Sequence, residues 1–176
     1  MIFGRANATP PERPATAANL LGSLLLVVDG SEPSMAAARF AMDLAKQLQS
    51  HVTAVYVVDT ATMDYLTQMR IFVAEERAEF EADIERTGQR YLEYVSTIGR
   101  KQGVETKTLL RKGRFHTVIL QEARSLAVNA IVLGGWRRSA TRKDATSVER
   151  QLVLDLAGLP VIVVKSDSDR ETEGDD

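Results

Sequence analysis

The sequence predicts a doubly wound α/β sandwich: one five-stranded parallel sheet flanked by helices on both faces. Two observations carry that expectation. Short runs that are apolar at every position alternate with longer stretches of helical period, in the order β-α-β-α-β-α-β-α-β. A run apolar throughout suits a strand covered on both faces, and regular alternation makes such strands parallel, joined by right-handed crossovers.

Leu24-Leu-Leu-Val-Val28 is the first strand, closed by Asp29-Gly30-Ser31-Glu32-Pro33-Ser34. Met35 to Gln49 has helical period, with Met35, Ala38, Met42, Ala45 and Leu48 on one stripe and Ser34 as the expected N-cap. Val52 to Val58 is the second strand, closed by Asp59-Thr60, and residues 59 to 67 are expected to form a loop. One long helix follows over Gln68 to Arg100, with Ile71, Ala74, Ala78, Phe80, Ile84, Tyr91, Val95 and Ile98 facing the core. Acids crowd its front half and read as a solvated face; Arg100 and Lys101 lie at its end before Gly103, a polarity that suits the helix dipole. Val104 to Leu110 is the third strand, and Phe115 to Val128 a helix with Val118, Ile119, Ala123 and Leu126 inside. Ala130 to Leu133 is the fourth strand, closed by Gly134-Gly135. A loop from Trp136 to Asp144 leads to a helix over Ser147 to Leu156, and Val161-Ile-Val-Val164 is the fifth strand.

The charge is unevenly spread. The 176 residues carry a formal net charge of −2, yet the last eleven hold six acids against Arg170 alone. The first 20 residues are rich in Ala, Thr and Pro and lack periodicity. Both ends read as disordered tails, 1–20 and 166–176, around one folded domain, 21–165. No run approaches the roughly 18 apolar residues of a membrane span, and no leader peptide is expected, so the reading is a cytoplasmic protein. With no cysteine and two distant histidines, His51 and His116, thiolate metal sites, cysteine nucleophiles and a His-based metal site or triad are set aside.

Ligands of such sheets bind outside the carboxyl ends of the strands. Two segments there are basic: Arg111, Lys112 and Arg114 after the third strand, and Arg137, Arg138, Arg142 and Lys143 after the fourth. Neither 106–121 nor 123–143 contains an acid. Seven like charges are easiest to understand beside an anion. Solvated loop side chains and docking of the acidic tail stay open as alternatives. Gly134-Gly135 lets a backbone approach a phosphate, and the helix start at Thr146-Ser147 offers free N–H groups. Thr146-Ser-Val-Glu149 also fits a capping box, in which the chain's own side chains take those donors. No hydrolase elbow, no Gly-x-x-x-x-Gly-Lys loop and no Gly-x-Gly-x-x-Gly follows the strands, and the third strand ends without the aspartate of a phospho-receiver. Neither catalytic nor metal-ligating residues are assigned. His116 reads as a cap or surface residue, and no nucleic-acid partner is expected.

Leu24-Leu-Leu-Val-Val-Asp-Gly-Ser-Glu-Pro-Ser34, His51 to Asp59, Ala130-Ile-Val-Leu-Gly-Gly135 and Glu149-Arg150 with Leu159-Pro-Val-Ile-Val-Val164 together resemble the universal stress protein family. The resemblance implies an adenine nucleotide alpha hydrolase-like fold, a Rossmann-like three-layer sandwich. Some members bind ATP through a Gly-x2-Gly-x9-Gly-Ser/Thr loop after the fourth strand. Here the first glycine is Gly134 or Gly135, the second position falls on Arg137 or Arg138, and the third falls on Ala145 with Thr146 as its hydroxyl partner. The loop is about two residues short and keeps one glycine of three. Carried over by resemblance, the adenosine side is Val27, Val28, Asp29 and Val57; the phosphate side is Gly134, Gly135, Arg137, Arg138, Thr146 and Ser147. The family implies a non-enzymatic stress-response module, dimeric through residues 161–164, with weak or altered adenine-nucleotide binding and a regulatory protein partner. Two alternatives remain: an ATP-binding regulatory module whose basic loops grip the phosphates, and a slow ATPase.

Overall fold

The computed structural model describes residues 20–70, 74–136 and 145–165. Its strands are β1 (Ser23–Val28), β2 (His51–Asp59), β3 (Thr106–Gly113), β4 (Ala130–Gly134) and β5 (Val161–Val164). Its helices are α1 (Glu32–Leu48), α2 (Thr60–Gln68), α3 (Ala74–Gln102), α4 (Phe115–Ser125) and α5 (Ala145–Leu156). The sheet is parallel throughout, in the order β3-β2-β1-β4-β5. Leu26 of β1 lies between Ala54 of β2 and Val132 of β4, which places β1 at the centre.

Side-chain alternation along β1 splits the core into two layers. Leu24, Leu26 and Val28 pack with Ala38, Met42, Leu92 and Val95 of α1 and α3. Leu25 and Val27 pack with Ile119 and Ala123 of α4 and Val153 of α5. Leu24, Leu25 and Leu26 are all fully buried, each worth roughly 1.5–3 kcal/mol of apolar transfer. This is why the strand has no polar position to spare. Among the described residues no helix is long and apolar enough to cross a membrane.

Several boundaries differ from the sequence reading. Residues 60–68 are helical, not a loop, because the Asp59 carboxylate caps the segment by accepting the Ala61 N–H at 3.0 Å. The long helix accordingly starts at Ala74 and runs to Gln102. Ala78 and Phe80, expected in the core, are exposed, and Leu92 is buried instead. The first turns of α3 extend past the layer that Ile84, Tyr91, Val95 and Ile98 cover. On α4, Leu126 is exposed beyond the helix end and Leu120 is buried. Ser31, not Ser34, caps α1, which begins three residues earlier than read and tolerates Pro33 in its first turn. β3 continues through Arg111 and Lys112, pairing as far as Asp59 with Gly113, so these cations belong to a strand and not to a loop. α5 begins at Ala145.

Candidate functional site

From β1 the chain moves outward through β2 to β3, then returns to the opposite side of β1 as β4. The carboxyl ends of β1 and β4 therefore adjoin where the strand order reverses, the place where such sheets open a crevice. Asp29 to Ser31 lie at one lip, Gly134 to Trp136 at the other.

The Asp29 lip is tightly held. The Ser31 N–H donates to Asp29 Oδ1 at 2.8 Å, the Ser34 N–H to Ser31 Oγ at 3.3 Å, and the Asp29 N–H to Ser34 Oγ at 3.0 Å. Gly30 has φ +81°, and a side chain there would run into the Tyr91 ring, 2.2 Å from an ideal Cβ. On the other lip, a Cβ at Gly134 would lie 2.5 Å from the Pro33 carbonyl carbon and the Ser34 nitrogen. The missing side chain of Gly134 thus admits the first turn of α1. The Gly135 N–H donates to the Val164 carbonyl at 2.7 Å, extending the β4–β5 ladder. Trp136 packs on the α4–α5 layer.

Two consecutive side chains of α5 close the crevice. Arg150 Nη2 donates to Asp29 Oδ2, and the guanidinium lies 5.4 Å from the centre of the Phe115 ring. The Arg150 side chain is 10% exposed and that of Asp29 26%. Burial pulls the Arg150 guanidinium below its ordinary pKa, since it lacks the water that would solvate the charge. The Thr146 side chain of the expected capping box lies outside the described residues, and Glu149 is drawn to the neighbouring helix. Its Oε2 accepts the His116 backbone N–H at 3.0 Å and lies 2.6 Å from His116 Nδ1, which supplies α4 with the cap that Arg114, its N-cap residue, does not give.

The sequence-named residues separate by environment. Val27 and Val28 are buried core on opposite faces, while Val57 is half-buried on the α4–α5 side. Asp29, Gly134 and Gly135 do meet at the crevice. Ser147 is half-buried near the start of α5. Arg137, Arg138, Arg142 and Lys143 lie outside the described residues, as does the side chain of Thr146. Two of the remaining cations have carboxylate partners. Arg111 Nε is 2.5 Å from Glu122 Oε1; Lys112 Nζ is 2.9 Å from Glu81 Oε1 and also pairs with Glu85. The acid-free stretches of the sequence were misleading because these acids arrive from α4 and from α3. Hydrogen bonds that Lys112 donates to Glu85 and Glu81 raise its pKa. Arg150, Phe115 and the His116–Glu149 pair are not among the site residues that the sequence suggests; Glu149 enters there as a capping-box residue and Glu149-Arg150 as part of a resemblance.

Both Asp29 oxygens have donors, the side-chain space of Gly134 is filled by α1, and the Gly135 N–H is spent on β5. Among the described residues no three His, Asp or Glu side chains gather as a metal site would need.

The sheet order defines a doubly wound α/β protein whose strand order reverses between β1 and β4. The chain belongs to the universal stress protein family, whose model matches residues 22–165. It is 28% identical over 148 residues to universal stress protein MJ0531 of Methanocaldococcus jannaschii, covering 84% of each chain. Its fold is similar to that of a universal stress family protein from Burkholderia pseudomallei, with TM-score 0.65 and 20% identity over 84% of this chain and 98% of the other. It is similar as well to the universal stress protein from Archaeoglobus fulgidus in complex with dAMP, with TM-score 0.55 and 21% identity over 82% of this chain and 98% of that one.

Proposed function

We propose that this chain is a non-enzymatic regulatory module of the cytoplasmic stress response, dimeric, with weak or altered adenine-nucleotide binding. The observation that carries the reading is the Asp29–Arg150 pair. It puts a protein cation on the carboxylate that the family resemblance assigns to the adenosine side. The dAMP complex of the Archaeoglobus relative supports retained, not abolished, nucleotide contact. Both oxygens of Asp29 have donors, Arg150 Nη2 and the Ser31 N–H, so Asp29 does not stand free as a base for a slow ATPase. The proposed unit is 21–165, with 1–20 and 166–176 as tails.

Among the described residues β5 pairs with β4 alone, leaving Val161 to Val164 a partly exposed apolar edge with Val163 39% exposed. Pairing with a second copy about a two-fold axis satisfies such an edge. Light scattering over a dilution series checks it. The expectation is twice the 19.4 kDa chain mass, falling on Ile162→Lys. A monomer unaffected by that change sinks the dimer. Calorimetry with Mg-ATP tests the nucleotide reading, and a sub-micromolar dissociation constant overturns it. Mass spectrometry of the denatured protein identifies any carried ligand.

A further inference from the structure

We propose that the outer edge of β3 is a docking strand, to which an extended acidic segment of a partner protein adds as a further strand; this rests on the reading of the chain as a regulatory module. β3 is the outermost strand of the sheet, and among the described residues it pairs with β2 alone. The Val52 N–H donates to the Glu105 carbonyl, and the register of Val52 with Thr106 runs unbroken to Asp59 with Gly113. In such a parallel ladder the main-chain groups of residues 107, 109 and 111 turn toward β2. Those of Thr106, Thr108, Leu110 and Lys112 turn away from it. The Leu110 carbonyl is already taken, accepting from Arg111 Nη1 at 3.2 Å. What stays open to an incoming strand is the N–H and C=O of Thr106 and Thr108 and the N–H of Leu110.

Proteins blunt an edge of this kind by shortness, proline, a bulge or charge. β5, on the opposite side of the sheet, is four residues long, whereas β3 has eight, with no proline and no break in register. What guards β3 is charge, and a guard of one sign is selective. Lys107 is exposed and has no carboxylate partner among the described residues. Arg111, 41% exposed, leans on Glu122 of α4. The two cations flank Leu109 on the face that packs toward α4. A second copy is refused, because an antiparallel pair centred on Leu109 would set Lys107 of one copy against Arg111 of the other. A strand with an acid beside Lys107 and a β-branched residue beside Leu109 is accepted. Main-chain hydrogen bonds supply the affinity and these alternate side chains the selectivity. The occupant is therefore an extended segment of the pattern acid-x-apolar-x-acid.

The probe is a fluorescein-labelled peptide, Thr-Glu-Thr-Val-Thr-Glu-Thr, whose pattern reads the same in both strand senses. Its anisotropy is followed as the full chain is added at low ionic strength. Wild type is expected to bind it, and to bind Thr-Thr-Glu-Glu-Val-Thr-Thr, of equal composition but without the alternation, at least about tenfold more weakly. Thr108→Pro removes an outward N–H and leaves the ladder to β2 whole. It is expected to stay folded by circular dichroism and to weaken binding about tenfold or more. Lys107→Glu is expected to reverse the preference, favouring the peptide that carries Lys in place of Glu. Amide exchange followed by NMR is expected to slow at Thr108 and Leu110 when the acidic peptide is bound. No binding by wild type overturns the proposal, as does equal binding of the two acidic peptides. So does a Lys107→Glu variant that binds like wild type, or slowed exchange at Val161 to Val164 in place of Thr108 and Leu110. Sub-micromolar Mg-ATP binding would sink the nucleotide reading above and leave these peptide results standing.

Discussion

Two cation–carboxylate contacts stand on the carboxyl edge of one sheet. At the centre, Arg150 meets Asp29 with side chains 10% and 26% exposed. At the outer end of β3, Lys112 meets Glu81 and Glu85, with the lysine 47% exposed. The outer contact lets water solvate whatever the pair does not, so removing one partner strands nothing. The central one has surrendered most of that water, and each charge depends on the other. An identical sign pattern thus gives a solvated brace in one place and an interdependent pair in the other. What separates them is burial: the switch point is roofed by α4 and α5, while the end of β3 faces the overhanging first turns of α3.

The largest effect expected is therefore at the centre. Arg150→Gln leaves Asp29 without its counter-ion and removes the stacking on Phe115. Breaking a fully buried pair costs about 3–5 kcal/mol; with Asp29 a quarter exposed the expected loss is about 2–3 kcal/mol. Urea denaturation measures it. A loss under about 0.5 kcal/mol would mean the central pair is as solvated as the outer one. Asp29→Asn and the double variant Asp29→Asn/Arg150→Met sharpen the point: the double change should cost less than Arg150→Gln, because no lone charge remains.

Next in size comes the packing that frames the crevice. Gly134→Ala drives a methyl group into the Pro33–Ser34 backbone, where no flexible side chain can give way. The expected cost is on the order of 1–3 kcal/mol, as for other overpacked sites. Gly158→Ala is the control, since nothing lies within 4 Å of its Cβ position. Equal stabilities of the two variants would refute the view that Gly134 is a glycine for the sake of α1.

How much of this was legible follows from the range of each interaction. The five strands, their parallel alternation and the buried run Leu24–Val28 depend on local composition, and they could be read from it. Boundaries set by single polar contacts could not: Asp59 capping α2 looks in sequence like the end of a strand. Asp29 was legible as a residue of the crevice because it follows the central strand. Its partner was not, since Arg150 lies 121 positions away and is brought there only by the α5 crossover. Glu149 illustrates the same limit. Its spacing from Thr146 suggests a capping box, and nothing in that spacing shows that one of its oxygens accepts from His116 of the neighbouring helix. The basic stretch around Arg111 and Lys112 read as unpaired because sequence shows acids only along the chain, not across the fold.

The smallest effect belongs to the outer contact, and pH exposes it. Hydrogen bonds donated to Glu85 and then Glu81 raise the Lys112 pKa above its ordinary 10.5. A group whose pKa is raised by folding stabilises the fold fully below its unfolded pKa and loses that contribution as pH climbs through the folded one. The window lies above pH 10.5, not in the acid range. Wild type should therefore lose slightly more of its denaturation midpoint between about pH 10 and 12 than Lys112→Met does. The difference should vanish in 1 M salt, which shortens screening to about 3 Å. Tyr56 titrates in the same direction, its pKa raised above 10.0 by burial and then by the nearby Tyr91. Its share must be separated: tyrosinate absorbance follows it directly, and Tyr56→Phe removes it. If Lys112→Met and wild type superimpose at low salt once Tyr56 is accounted for, the outer contact contributes nothing. A salt-insensitive difference would instead place Lys112 in the same shielded regime as Arg150, erasing the contrast between edge and centre.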